Sequence, residues 1–262
     1  MSKPDRDFFI LLGIFSVGLC LAILVNREPA HQARPLSAWL RDLSADDAGK
    51  RDDAQKALRQ MGVKVLPHLL ARIEAADTNI QTRGILGFTA LGSVAMPATQ
   101  ALAVLLSKNE TSLPAARALA AIGPASIPVL TNSLSSPVRF VRTSGARGLG
   151  RMGRDARPAV PALVGALDDD DDDLRYFAAR ALGHIAEEPD LTVPALAARL
   201  EDRSVEVRKM AAHSLGQFRQ RAQLAVPALL QAMQGNDSGV KLTALFALKE
   251  IDPEAAATAG VK

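Results

Sequence analysis

Leu174-Arg175-Tyr176-Phe177-Ala178-Ala179-Arg180-Ala181-Leu182-Gly183-His184-Ile185 places apolar or small residues at positions 174, 177, 178, 181, 182 and 185. This is the i, i+3, i+4, i+7 stripe of an amphipathic helix. The core of that stripe returns along the chain. Its large anchors are Leu58, Phe88, Leu119, Leu149, Leu182, Leu215 and Leu248, spaced 30 to 33 residues apart. Four positions before them stand Ala54, Gly84, Ala115, Gly145, Ala178, Ala211 and Ala244; one position before stand Ala57, Gly87, Ala118, Gly148, Ala181, Ser214 and Ala247. Small residues let neighbouring helices approach, and the anchors fill the space between them. A unit this short cannot bury its own apolar face, so the period predicts an all-α α-solenoid of about seven stacked helix pairs over residues 35–262.

A second helix is expected to open at Pro67, Pro97, Pro128, Pro161, Pro194 and Pro227, because a first helical turn tolerates a residue without an N–H. Leucine follows two positions later in five units, at Leu69, Leu130, Leu163, Leu196 and Leu229; Thr99 breaks the pattern in the unit of Pro97. Anchor and proline are nine residues apart in the first three units and twelve in the next three, which predicts longer turns in the later units. The last unit has only Pro253–Ala257 for a second helix and reads as a frayed cap. Leu36, Trp39, Leu40 and Leu43 repeat the helical stripe and predict an N-terminal capping helix with Trp39 in its core.

The pattern of two small positions, a Leu anchor and a following Ile, preceded by Val141-Arg142, Leu174-Arg175, Val207-Arg208 or Val240-Lys241, resembles HEAT repeats. The nearest subtype is the short HEAT-like repeat first recognised in phycobilisome lyases. The resemblance covers roughly residues 45–255, with Gln81 and Ser112 departing from the basic position. It implies the fold. It says little about function, because such repeats carry many unrelated roles. A chromophore-lyase-like accessory role is implied by the resemblance alone.

Ahead of the repeats, residues 1–7 form a short tail. Residues 8–25 (FFILLGIFSVGLCLAILV) are eighteen uncharged residues. As a helix they span roughly 27 Å, near a bilayer core, and exceed a usual signal-peptide core. We read them as a retained single-pass transmembrane anchor, with 26–34 as a linker; secretion after signal cleavage is the alternative. Basic residues nearly balance across the run (Lys3 and Arg6 against Arg27, Arg34 and Arg41), so the positive-inside rule decides little. A short leading tail favours an extracytoplasmic repeat domain.

Composition narrows the function. Aromatic residues are 4% of the chain and the net charge is +3, which gives little for stacking bases and no strong polyanion field. The one cysteine, Cys20, lies in the apolar run, so the repeats carry no thiol nucleophile or disulfide. No HExxH, GxSxG, Walker A or GxGxxG pattern occurs. The expectation is therefore a non-enzyme without cofactor or bound metal.

Two charged stretches remain. Asp168–Asp173 has neither the glycine nor the ligand spacing of a calcium loop, and reads as a solvated turn capping the next helix. Arg139, Arg142, Arg147, Arg151, Arg154 and Arg157 form the densest basic stretch, with Arg147, Arg151 and Arg154 on one helical face by spacing. Arg142, Arg175, Arg208 and Lys241 occupy one repeat position and predict a basic ladder along the stack. These nine residues are the candidate partner-binding set. The expected function is a membrane-tethered scaffold holding a protein or peptide on its concave helical surface. Binding of nucleic acid or another polyanion through Arg139–Arg157 is the alternative.

Overall fold

In the computed structural model, residues 28–259 are described. The tail 1–7 and the apolar run 8–25 lie outside them. The stretch expected as a linker enters the fold at Glu28. Ala30–His31 (β1) pairs antiparallel with Arg34–Pro35 (β2) in a minimal hairpin. Glu28 fastens it to the repeats, accepting from Arg72 at 2.9 Å and from Ser37 at 2.8 Å.

The cap helix α1 (Leu36–Asp42) follows, with Trp39 5% exposed and its Nε1 donating to His31 O. Seven pairs come next. Their first helices are α2 (Ala48–Met61), α4 (Thr78–Leu91), α6 (Asn109–Ile122), α8 (Arg139–Met152), α10 (Asp172–Ile185), α12 (Val205–Gln217) and α14 (Ser238–Ile251). Their second helices are α3 (Leu66–Ile73), α5 (Thr99–Leu106), α7 (Ile127–Ser133), α9 (Val160–Ala166), α11 (Pro189–Ala198), α13 (Val226–Gln234) and the short α15 (Pro253–Thr258).

All seven anchors, Leu58 to Leu248, are 0% exposed. Each first helix packs between the neighbouring first helices and against the preceding second helix. The approach is close enough to exclude a side chain at Gly183, where a Cβ would lie 2.7 Å from Ser214 Cβ and 2.9 Å from its Cα. Second helices scarcely touch one another. Of the two rows, the first helices therefore stack the more tightly.

The turns within the pairs depart from the proline register. Long 3-10 turns occur at Gly92–Ala98, Gly153–Ala159 and Arg219–Ala225, in units two, four and six. Short ones, Gly62–Val65 and Pro124–Ser126, serve units one and three. Pro97 thus corresponds to Pro158 and Leu224 inside the turn, and the leucine of α5 equivalent to Leu163 is the buried Leu102. Unit five has the briefest link. Ala186 and Glu188 take left-handed φ values of 47° and 52°, α11 starts at Pro189, and Pro194 lies within it. Longer turns in the later units hold for four and six, fail for five, and also occur in two.

One other stretch, Thr78–Leu106, is long and apolar enough by composition to cross a membrane. It is the helix pair α4–α5, which turns at Gly92 with φ 55° and buries Phe88 and Leu102 in the solenoid. Its hydropathy is accounted for by the core.

Candidate functional site

The ladder position, seven residues before each anchor, closes the turn between units. Arg142 Nη1 donates to Ser136 O at 3.1 Å, Arg175 Nη1 to Asp169 O at 2.9 Å, and Arg208 Nη1 to Asp202 O at 2.7 Å. In unit one, Arg51 does the same to Ala45 O, and in unit two Gln81 Nε2 reaches Ala75 O at 2.8 Å. These carbonyls lie beyond helix ends, and a long side chain that curls back supplies their missing donors. Lys241, at the last ladder position, is exposed.

The ladder also ties unit to unit. Arg142 pairs with Asp169 at 3.0 Å. Arg175 grips Asp202 through two bonds of 2.8 Å, with both side chains 4% exposed. Burial alone would raise the Asp202 carboxyl. The Arg175 hydrogen bonds, the Ser204 amide and the charges of Arg175 and Arg199 outweigh it and hold Asp202 below the usual carboxylate value. The Asp202 carboxylate in turn raises Arg175. Buried on this carboxylate, Arg175 reaches no partner surface.

The aspartate run and the basic stretch largely consume one another. Asp171 is the N-cap of α10, accepting from the Asp173 amide, and it also accepts from Arg139 Nε at 2.7 Å. Arg139 takes Asp173 as well, at 3.0 Å. Asp168 pairs with Arg199, and Arg203 donates to Asp170 O. Arg154 does not share the helical face of Arg147 and Arg151, because α8 ends at Met152 and Gly153 turns the chain with φ 57°. It lies 3.4 Å from Glu187, and Arg157 donates to Glu188 at 2.6 Å.

Arg147 and Arg151 remain. They line a groove of about 340 Å³ across units three to five with Leu113, Arg117, Phe177, Arg180 and His184. Arg117, Arg147 and Arg180 all stand two residues before their anchors, on the exposed face of the closely stacked first helices. Among the described residues no carboxylate pairs with Arg117, Arg147, Arg151 or Arg180. The Arg147 guanidinium sits 4.7 Å over the Phe177 ring. Burial, then the charges of Arg117 and Arg180, hold it below the ordinary arginine value. His184 Nδ1 is 3.3 Å from Gly150 O. A carbonyl only accepts, so Nδ1 carries the proton in that contact and Nε2 is left to the groove.

The structure thus brings together two of the nine expected residues, Arg147 and Arg151, and adds Arg117 and Arg180. Those two were findable from the repeat register, as the same position in three successive units. They lie outside the densest basic stretch, Arg139–Arg157.

The HEAT-repeat family matches residues 99–183 and 160–249, together more than half of the chain. A crystal structure of an engineered protein superposes with a TM-score of 0.52 at 22% identity, covering 86% of this chain and 97% of that one. The complex of CpcE and CpcF of phycocyanin lyase from Nostoc sp. PCC7120 gives a TM-score of 0.52 at 23% identity, over 58% of this chain and 98% of the matched one. At such identity both are likenesses of fold. No curated protein sequence matches the chain.

Proposed function

The chain belongs to the HEAT-repeat family, and from that premise we propose that it is a membrane-tethered scaffold that holds a protein or peptide partner on its row of first helices. In a curved stack the more tightly spaced row is the inner one, so this face is the concave one. The observation that carries the reading is the unpaired set Arg117, Arg147, Arg151 and Arg180. Nearly every other arginine in units four and five is spent on a carboxylate or a carbonyl of the fold. Arg147 between Arg117 and Arg180 costs stability, and among the described residues no carboxylate offsets it.

Tethering rests on residues 8–25, whose eighteen uncharged residues suit a bilayer core. The repeat domain is proposed to face the extracytoplasmic side. Protease added to intact cells should then digest the repeats; protection until lysis would place them in the cytoplasm. Scaffold activity is tested by cross-linking in intact membranes, purification and mass spectrometry. A recurrent protein partner is expected. Recovery of nucleic acid instead, with no protein above background, would overturn the scaffold reading.

A further inference from the structure

We infer that the groove between units three and five binds an extended acidic peptide segment, with carboxylates on every third residue. The inference rests on the scaffold reading and names the chemistry of the partner. Arg117, Arg147 and Arg180 repeat once per unit on one face. Packed helices lie about 8–10 Å apart. A polyproline-II segment has three residues per turn and rises about 3.1 Å per residue, so side chains at i, i+3 and i+6 align about 9 Å apart. Such a peptide meets one arginine per unit without strain. A β-strand fits less well, because its residues i and i+3 face opposite ways.

Each guanidinium can take a carboxylate with two parallel bonds. Arg151, one turn beyond Arg147, adds a second donor in the middle unit, and Leu113 gives the groove an apolar wall. Single-stranded nucleic acid needs ring faces for its bases. The groove offers the ring of Phe177, which Arg147 already covers on one face, and the single imidazole of His184. The fold loses little when these arginines change, since none of them holds a carboxylate of its own.

The test uses the full-length protein in detergent and a labelled nine-residue Pro/Ala peptide with Glu at its first, fourth and seventh positions, read by fluorescence anisotropy. Three probes accompany it: the same peptide with Gln for Glu, one with the three Glu contiguous, and a nine-nucleotide single-stranded DNA. The spaced peptide should bind about 10-fold or more tighter than the Gln peptide, as expected for bidentate charge-assisted bonds. The variant Arg117→Glu/Arg147→Glu/Arg180→Glu should lose that binding while keeping the wild-type helical circular dichroism and melting temperature. Arg154→Glu, outside the groove, should bind as wild type. Equal affinity for the Gln peptide, undiminished binding by the triple variant, or contiguous-Glu or DNA probes binding as tightly as the spaced peptide would each overturn the inference. If the triple variant unfolds, Arg147→Gln/Arg180→Gln replaces it, with the same outcomes. A cross-linked partner retained by the folded variant would sink the groove while leaving the scaffold reading intact; no partner from wild type would sink the scaffold, whereas peptide binding is read separately.

Discussion

Two arginines one unit apart separate fold from function at the residue scale. Arg175 is 3% exposed and closes a bidentate pair with Asp202. Arg175→Ala leaves that buried carboxylate without its ion-pair partner, holding only the Ser204 amide, and should cost roughly 3 kcal/mol in urea unfolding. Arg147 faces Arg117 and Arg180 and has only its stacking on Phe177 to lose, so Arg147→Ala should change stability by less than about 1 kcal/mol. A comparable loss in both variants would mean that the groove arginines also support the fold. Asp202 adds a pH dependence. Its folded value is lowered from 3.8, so its stabilising contribution is complete above that value and is lost as pH falls through the folded value. The wild-type melting temperature should therefore drop on acidification below about pH 4. Asp202→Asn should be less stable at neutral pH and flatter across that acid window; an unchanged acid slope would remove Asp202 from the account. The ladder was legible because its spacing follows the anchors. The groove was only half legible. Arg154 and Arg157 looked equivalent to Arg147 until the chain turned at Gly153 and gave them to Glu187 and Glu188.

The helices themselves were readable from small residues and anchors, and their joints were not. Prolines mark only those second helices in which proline stands in the first turn, such as α3, α7, α9 and α13. In unit two the equivalent position is Gln100, while Pro97 belongs to the turn. A proline is permitted in either place, so spacing alone could not fix the register. The glycine after the first helix marks where a turn begins but not its length, since Gly62 and Gly123 also take left-handed φ and lead into the short turns. Gly92 and Gly153 carry φ of 55° and 57° with ψ of −129° and −136°, a region that nearly excludes other residues. At Gly92 a Cβ would meet nothing within 4 Å, so the cost of Gly92→Ala is conformational alone, about 1–3 kcal/mol. The helix starts give a smaller effect. Asp77 accepts from the amides of Asn79 and Ile80 at the head of α4. Asp77→Ala should cost about 1 kcal/mol. Thermal unfolding of the two variants should rank Gly92→Ala below Asp77→Ala; the reverse order would mean that the turn relaxes to accept a side chain.

On the scale of the molecule, each unit is held only by its neighbours, so a fault at one joint should weaken one side of the stack more than the other. The joint between units five and six offers the sharpest case, because a Cβ on Gly183 meets the Ser214 backbone at 2.9 Å and neither side chain can yield. Gly183→Val must part α10 from α12, at an overpacking cost of order 1–3 kcal/mol. Beyond that joint lie units six and seven, the second closed only by the short α15. Two units are fewer than the about three needed for a stable stack. On the other side, units one to five keep their cap α1 and every contact among themselves. Hydrogen exchange of Gly183→Val should therefore show protection lost over residues 205–251 and kept over 48–152. The acidic-peptide groove, built on units three to five, should still bind. Uniform loss of protection along the chain would show that the seven units open as one body. In that case the groove would depend on the far end of the rod as much as on its own walls.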